Sequence, residues 1–229
     1  VFQRDRFDRY SNFARIGEGS LGGKGRGLAF IDNMIKRHAS LNRFDNAEVK
    51  IPKTVVLCTD IFEEFMDRNN LYPIALSDAD DAEILAAFRQ AELPRRLIGD
   101  FLSYIEATQR PIAVRSSSLL EDSHYQPFAG IYNTYMVPYL DDRRAMISML
   151  ADAIKGVYAS VYFKDSKAYM TATHNVIDQE KMAVVIQEVV GKQYGTRFYP
   201  SISGVGRSLN YYPINDERAD EGIVSLALG

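Results

Sequence analysis

The sequence feature that most restricts the fold is an apolar run at residues 181–190, Lys-Met-Ala-Val-Val-Ile-Gln-Glu-Val-Val. Apolar side chains occupy both alternating positions, which is typical of a strand covered on both faces of a sheet. Gln187 and Glu188 interrupt the run, and polar side chains within a sheet need hydrogen-bond partners. The chain must therefore supply elements that cover this strand and groups that satisfy its two polar residues.

The remaining periodicity predicts a mixture of helices and further strands. Apolar spacing of three and four residues predicts helices, whereas short alternating or continuous apolar runs predict strands. Thr59 and Asp60 are expected to cap one helix, and the acidic stretch 77–83 to cap another. The predicted strands are 49–57, 111–115, 128–137 and 181–190, and the predicted helices are 28–38, 61–68, 77–88, 94–107 and 141–161. No internal repeat is visible, and the predicted class is α+β.

The composition excludes several classes of protein. With 229 residues, 46% of them hydrophobic, the chain can bury a substantial core as one large domain or as two lobes. Its 27 basic and 30 acidic residues give a net charge of −3, so no overall field attracts nucleic acid or an anionic membrane. A polyanionic ligand must therefore meet a local cluster of cations.

The cysteine content and the first residues favour the cytoplasm. Cys58 is the single cysteine, which excludes an intramolecular disulfide and the paired-cysteine metal motifs. The start of the chain has no apolar signal core, and no stretch approaches 18 consecutive apolar residues. We therefore expect a cytoplasmic protein without membrane spans. The missing initial Met and the abrupt end at Gly229 suggest an excised piece of a longer chain.

A glycine-rich segment, 17–27, contains six glycines and is expected to be a flexible loop that leads into a helix at Leu28. Residues 17–22 fit the string G-x-G-x-x-G, but the dinucleotide-binding fingerprint needs an apolar strand directly upstream, and this chain has a poor one. The Walker A pattern fails at two positions. With both patterns excluded, the remaining phosphate-binding candidate is Lys24, which lies between the glycines 22, 23 and 25. Backbone N–H groups and a cation can meet a phosphate chain there. A glycine-rich hairpin without a ligand is the alternative.

A second cation stands beside a run of hydroxyl groups. Arg115 is predicted at the end of a short buried strand, and Ser116–Ser118, Glu121 and Asp122 follow it. One interpretation pairs Arg115 with a carboxylate of this loop. The other has the guanidinium binding phosphate oxygens through two N–H groups, a geometry that lysine does not offer. Lys24 and Arg115 are both expected in loops, so their removal should leave the fold intact.

The polar end of the strand 181–190 has the chemistry of an adenine site. The backbone at Gln187 and Glu188 can offer a carbonyl to the adenine amino group beside an apolar slot. The alternative is a strand that emerges into solvent. The histidines at 38, 124 and 174 show no metal-ligand spacing and are expected at the surface, although His124 lies in the serine-rich loop and could meet a phosphate.

Together these segments resemble the nucleotide-binding domain of the phosphoenolpyruvate synthase/pyruvate phosphate dikinase family. Five motifs occur in the order of that family between residues 17 and 205. They are Gly-Gly-Lys-Gly-Arg-Gly-Leu-Ala at 22–29, Ile-Pro-Lys-Thr-Val-Val-Leu-Cys-Thr-Asp at 51–60, Ile-Ala-Val-Arg-Ser-Ser-Ser-Leu-Leu-Glu-Asp at 112–122 with Phe-Ala-Gly at 128–130 and Thr134, Met-Ala-Val-Val-Ile-Gln-Glu-Val-Val at 182–190, and Ser-Gly-Val at 203–205.

The resemblance implies an ATP-grasp fold of two lobes, with mixed or antiparallel sheets flanked by helices, over residues 1–229 and with a lobe boundary near 108–111. It implies ATP and Mg²⁺ as cofactors, with no metal ligand within this chain. The implied site residues are Lys24 and Arg115 at the phosphates, Gly22, Gly23 and Ser116 beside them, Gly130 and Thr134 in the covering loop, and Gln187, Glu188 and Val189 on the adenine side.

In such a family, ATP phosphorylates a carrier histidine on another domain, which passes the phosphoryl group to an acceptor such as pyruvate. The carrier and acceptor domains, and the family's metal-binding Glu and Gln, are expected outside this chain, so the fragment should not turn over alone. Residues 204–213 depart from the family pattern Gly-Val-x-Phe-Thr-x-Asn-Pro. The alternatives are a dikinase with a glucan or antibiotic acceptor, and a non-catalytic nucleotide-sensing module.

Overall fold

The computed structural model of the chain describes residues 2–3, 12–43, 45–118, 130–173 and 180–229. These residues divide into two compact units, Val1–Glu188 and Val189–Gly229. The predicted lobe boundary at 108–111 lies between a helix and a strand of the first unit, and it remains a prediction.

The first unit combines seven helices and five strands within its described residues. In chain order these are β1 Phe13–Ile16, α1 Gly22–Arg37, β2 Thr54–Leu57, α2 Thr59–Arg68, α3 Tyr72–Ala75, α4 Asp81–Gln90, α5 Leu97–Thr108, β3 Ile112–Ser118, β4 Thr134–Val137, α6 Arg143–Ser160, α7 Lys164–Ala172 and β5 Met182–Glu188, with a 3₁₀ turn at Ala39–Asn42.

The five strands form one mixed sheet in the order β1-β2-β5-β3-β4. β1 and β2 run parallel, whereas β5 is antiparallel to both β2 and β3, and β4 is antiparallel to β3. The strand that the apolar run predicted is therefore the central one, and its residues from Met182 to Gln187 are buried. This arrangement confirms the predicted α+β class.

One face of the sheet carries the main core. Alternate residues of β2, β3 and β5 on this face pack against aromatic side chains of α2, α4 and α6. Phe62 and Phe65 of α2 contact the ring of Tyr158 at centroid distances of 5.0 and 5.4 Å, and Phe65 also contacts Phe88 at 6.0 Å. Each such side chain stabilises the fold by about 1.5–3 kcal/mol on full burial.

The opposite face of the sheet is covered by α1. Val56, Ala183 and Val185 form a small second core there, against which Leu21 and Leu28 pack. The central strand is thus covered on both faces, as the apolar run predicted.

Helix α1 differs from the sequence prediction in its start and in its exposed face. It begins at Gly22, not at Leu28, although glycine is a poor helix former. The helical spacing of Leu28, Ile31 and Met34 in the sequence predicts an apolar face, but Ile31 and Met34 are 46% and 42% exposed. The buried side of the helix is built from Gly22, Gly23, Gly25 and Asp32 because the glycines let its backbone approach the sheet.

The acidic stretch 77–83 caps a helix, as predicted. Asp80 caps α4, and its side chain and that of Glu83 form a reciprocal capping box. Asp142 caps α6 by accepting from the amide of Arg144 at 2.8 Å. The predicted strand at 49–57 shortens to β2, and the part of the predicted strand 128–137 that precedes Gly130 lies outside the described residues.

The second unit consists of two hairpins. β6 Lys192–Tyr194 pairs antiparallel with β7 Arg197–Tyr199, and β8 Ile202–Arg207 pairs antiparallel with β9 Ile223–Leu228. A 3₁₀ turn at Ala219–Glu221 precedes β9. Among the helices in the described residues, none is both long enough and apolar enough to cross a bilayer.

Candidate functional site

Lys24 lies in the first turn of α1 and reaches the sheet with its side chain. Its Nζ donates to the backbone oxygen of Ser116 at 3.0 Å and lies 3.5 Å from the Ser116 hydroxyl. The ammonium is therefore placed next to the residue that follows Arg115. The expectation that Lys24 lies in a loop is wrong, because the helix begins two residues earlier.

Arg115 lies in the middle of β3 and not at its end or in a loop, so that expectation is also wrong. It is directly opposite Val185 on β5 and Thr134 on β4. Because directly opposed residues share a face, Arg115 and Thr134 lie on the face that α1 covers. The Arg115 side chain is half-buried, and within the described residues its guanidinium makes no hydrogen bond or ion pair. Glu121 and Asp122, the carboxylates proposed for it, lie outside the described residues.

The two polar residues of β5 point to opposite faces. Gln187 shares the face of Val185, where its Nε2 donates to the Thr54 hydroxyl at 2.9 Å. Glu188 is opposite Ile112 of the main core, and its Oε1 accepts from the amide of Lys53 at 2.8 Å. Both side chains therefore have the hydrogen-bond partners that polar groups within a sheet need. Since Gln187 is 9% exposed, the alternative of a strand emerging into solvent at this residue is wrong.

The remaining predicted site residues lie at several places. Gly22, Gly23 and Ser116 are buried beside Lys24. Gly130 is exposed, has a φ of +80°, and has open space where a Cβ would lie. Thr134 is exposed on the edge strand β4. Val189 begins the second unit.

Ser117 joins α1 to the sheet, and sequence reasoning assigned it no separate role. Its hydroxyl donates to the backbone oxygen of Leu21 at 2.8 Å and accepts from the amide of Gly25 at 3.0 Å. A Cβ on Gly22 would lie 1.8 Å from the backbone oxygen of Ser117, and the φ of Gly22 is +65°. Only glycine allows the helix to start so close to the strand.

The glycine loop before α1, residues 17–20, donates its backbone amides to side chains at the start of α2. The amides of Glu18 and Gly19 donate to the two carboxylate oxygens of Asp60 at 3.0 and 2.9 Å, and the amide of Ser20 donates to the hydroxyl of Thr59 at 3.0 Å. These three donors are therefore satisfied within the protein.

Thr59 and Asp60 were expected to cap α2, and this expectation is wrong. The helix begins at Thr59 after Cys58, and no side chain caps it. No local sequence signal points to the observed role of Asp60, because the amides that it binds lie about forty residues earlier in the chain. Nearby, burial raises the pKa of the Cys58 thiol from 9.0 to about 11, with a smaller contribution from Asp60.

Two further predictions concern histidines and metals. His38 is exposed, as expected, whereas His124 and His174 lie outside the described residues. Across the described ranges, no group of three or more His, Cys, Asp or Glu side chains could hold a metal ion.

Comparison with known proteins supports a nucleotide-binding role for this region. Residues 18–229 match the family described as "Pyruvate phosphate dikinase, AMP/ATP-binding domain". A protein of Bacillus subtilis (strain 168), named "Uncharacterized phosphotransferase YvkC", is 27% identical over 143 residues, which cover 62% of this chain. The match spans 16% of that protein's length. Because the family match extends over most of the sequence, the chain belongs to the family of the AMP/ATP-binding domain of pyruvate phosphate dikinase.

Proposed function

We propose that this chain is the ATP-binding part of a phosphotransferase similar to phosphoenolpyruvate synthase and pyruvate phosphate dikinase. The observation that carries the proposal is the placement of Lys24 against Ser116 next to Arg115, which brings two fixed cations to one strand. Within the described residues the guanidinium of Arg115 has no hydrogen-bond or ion-pair partner, and the proposal assigns it an anionic ligand. Membership of an AMP/ATP-binding family identifies the anion class.

The phosphates would bind mainly through side chains. Arg115 would bind phosphate oxygens through two N–H groups, and Lys24 would add a second positive charge. Gly22, Gly23 and Ser116 would shape the site around Lys24. The exposed Thr134, directly opposite Arg115, would contact the phosphates from β4, and Gly130 would belong to the segment that covers them.

The adenine would lie towards the end of β5. Gln187 and Glu188 are the last residues of β5, Val189 follows them, and peptide groups at this end of the strand would read the edge of a base. The side chains of Gln187 and Glu188 already bind Thr54 and Lys53, so their role would be to hold this backbone in place.

The complete activity needs more than this chain. We propose an ATP-grasp arrangement of two lobes, from which the phosphate of ATP passes to a carrier histidine on another domain and then to pyruvate. Phosphoryl transfer requires neutralisation of the phosphate charge, which Mg²⁺ supplies when it enters with ATP. This chain's own part is to bind and orient the nucleotide.

Calorimetric titration with Mg-ATP tests the proposal. The wild-type chain and the variants Arg115→Ala and Arg95→Ala are compared, each after thermal unfolding has shown that it is folded. Arg95 is a suitable control because its side chain is 81% exposed and is paired with Glu92. We expect Arg115→Ala to lose at least about tenfold in affinity, since a charge-assisted hydrogen bond contributes about 1.5–3 kcal/mol.

The outcomes separate the alternatives. Equal affinity of wild type and Arg115→Ala would remove Arg115 from the site. Absence of nucleotide binding in wild type would contradict the proposal for this chain. Nucleotide binding without formation of phosphohistidine in the longer protein would favour a nucleotide-sensing module over a dikinase.

A further inference from the structure

The glycine loop at residues 17–20 is hydrogen-bonded to Thr59 and Asp60 at the start of α2. The carboxylate of Asp60 accepts from two successive amides, those of Glu18 and Gly19, one at each oxygen. Ser20 and Thr59 form a reciprocal pair, in which the Ser20 amide donates to the Thr59 hydroxyl and the Thr59 amide donates to the Ser20 backbone oxygen, both at 3.0 Å. The loop conformation is therefore specified by residues about forty positions later in the chain.

The glycines at 17 and 19 are required by this contact. A Cβ on Gly17, whose φ is +100°, would lie 2.4 Å from a carboxylate oxygen of Asp60. A Cβ on Gly19 would lie 2.6 Å from the Thr59 hydroxyl and 2.7 Å from the Asp60 amide. The sequence thus uses two glycines to admit an internal carboxylate, where a phosphate-binding loop uses them to admit a ligand.

Successive backbone amides that converge on one point form an anion-binding concavity. Here a carboxylate of the protein already occupies it. A phosphate in the site therefore does not use these two amides, and the candidate cations for it are Lys24 on α1 and Arg115 on β3. Helix α1, which carries Lys24 in its first turn, starts two residues after the loop.

We propose that Asp60 is a positioning residue for Lys24, and that its carboxylate replaces a ligand phosphate at the amides of the glycine loop. The proposal rests on the proposed nucleotide-binding function. The first turn of α1 contains three glycines, at 22, 23 and 25, and has little helix propensity of its own. External fixation of the loop by Asp60, together with the Ser117 contacts, defines the start of this helix and brings Lys24 within 3.0 Å of the Ser116 oxygen.

A competing role for Asp60 predicts that Asp60→Ala raises nucleotide affinity instead of lowering it. If the carboxylate only fills the loop until a phosphate displaces it, Asp60→Ala frees two N–H donors and removes a negative charge. Nucleotide affinity would then increase. If Asp60 positions Lys24, the same substitution loosens the loop and the first turn of α1, and affinity falls.

The test combines nucleotide titration with amide hydrogen exchange. Mg-ATP affinity is measured for wild type, Asp60→Ala, Asp60→Asn and Asp67→Asn. Asp67 is the matched control because it lies on the same helix, is exposed, and loses the same charge. We expect about a tenfold loss for Asp60→Ala, a smaller loss for Asp60→Asn, whose side-chain oxygen can still accept one amide, and no change for Asp67→Asn.

Hydrogen exchange in the absence of nucleotide measures the loop itself. The amides of Glu18 and Gly19 are expected to be protected in wild type and Asp67→Asn and to exchange faster in Asp60→Ala, together with the first turn of α1. Unchanged exchange in Asp60→Ala overturns the positioning role, and so does an equal or higher nucleotide affinity. If wild type binds no nucleotide, the proposed function fails, and the exchange rates alone still decide whether Asp60 holds the loop and the start of α1.

Discussion

In this chain the Nζ of Lys24 lies 3.0 Å from the backbone oxygen of Ser116, a residue 92 positions later in the sequence. This contact joins the first turn of α1 to β3 next to Arg115. It holds the long, flexible side chain of Lys24 in a defined position beside the strand.

The first prediction concerns Lys24 itself. Lys24→Ala is expected to weaken Mg-ATP binding by about tenfold, because it removes a charge-assisted interaction with the phosphates. Lys36→Ala is the control, since Lys36 lies in the last turn of the same helix, paired with Asp32 at 2.5 Å. Calorimetric titration measures both variants. Equal affinities of the two variants would remove Lys24 from the nucleotide site.

The second prediction uses two glycines of α1. Gly22→Ala is expected to destabilise the chain, because its Cβ would clash with the backbone of Ser117 and its positive φ alone costs about 1–3 kcal/mol. Gly27→Ala, which meets nothing within 4 Å, is expected to stabilise it by about 1 kcal/mol through helix propensity. Denaturant titration of both variants measures the free energy of unfolding. A stabilising effect of Gly22→Ala would contradict the close approach of α1 to β3.

The third prediction concerns two buried tyrosines. Within the described residues the hydroxyl of Tyr158 has no hydrogen-bond partner, and burial raises its pKa. Tyr158→Phe is expected to increase the free energy of unfolding by about 1 kcal/mol, because burying an unpaired hydroxyl is costly. In Tyr104 the hydroxyl donates to the backbone oxygen of Lys53 at 2.9 Å, so Tyr104→Phe should lower stability by about 1 kcal/mol. Thermal unfolding of both variants should therefore show melting shifts of opposite sign.

The fourth prediction concerns Cys58 and pH. Its side chain is fully buried, and burial raises the pKa of the thiol from 9.0 to about 11. Between these values the folded chain retains a proton that the unfolded chain loses, so this contribution to stability is complete below pH 9 and decreases as the pH rises towards 11. The unfolding free energy of Cys58→Ala should decline less steeply over this range than that of wild type.

Alkylation gives an independent measure of the same residue. Iodoacetamide should label Cys58 at pH 8 only after denaturant is added, since the reactive thiolate is scarce and enclosed in the native fold. Rapid labelling of the native chain would show that the residue is accessible.

Local sequence signals predicted a substantial part of the fold. The acidic stretch 77–83 contains Asp80, the cap of α4, and such a cap is predictable because it acts on amides within three residues of itself. The central strand β5 was predicted because a continuous apolar run needs cover on both faces. The family expectation was confirmed by the match over residues 18–229, since it depended on the order of several motifs.

The candidate site was predicted less completely. The role of its residues in nucleotide binding remains a prediction, but two of them lie in secondary-structure elements that the sequence did not predict for them. Lys24 lies in a helix and Arg115 within a strand, because contacts of Ser117 with Leu21 and Gly25 start α1 inside the glycine-rich segment. Helix propensity alone predicts a later start for α1, because glycine is unfavourable in a helix.

Sequence patterns alone predicted the α+β class, the buried strand at 181–190, one helix cap and the family, because each depends on periodicity, neighbouring residues or motif order. Only the tertiary structure decided which groups satisfy the glycine-loop amides and which faces Gln187 and Glu188 occupy. The amides of Glu18 and Gly19 bind Asp60, which lies 42 and 41 residues later. Such pairings depend on strand register and on the close approach of separate elements, and a hydrogen-bond donor in the sequence does not specify which distant acceptor will reach it.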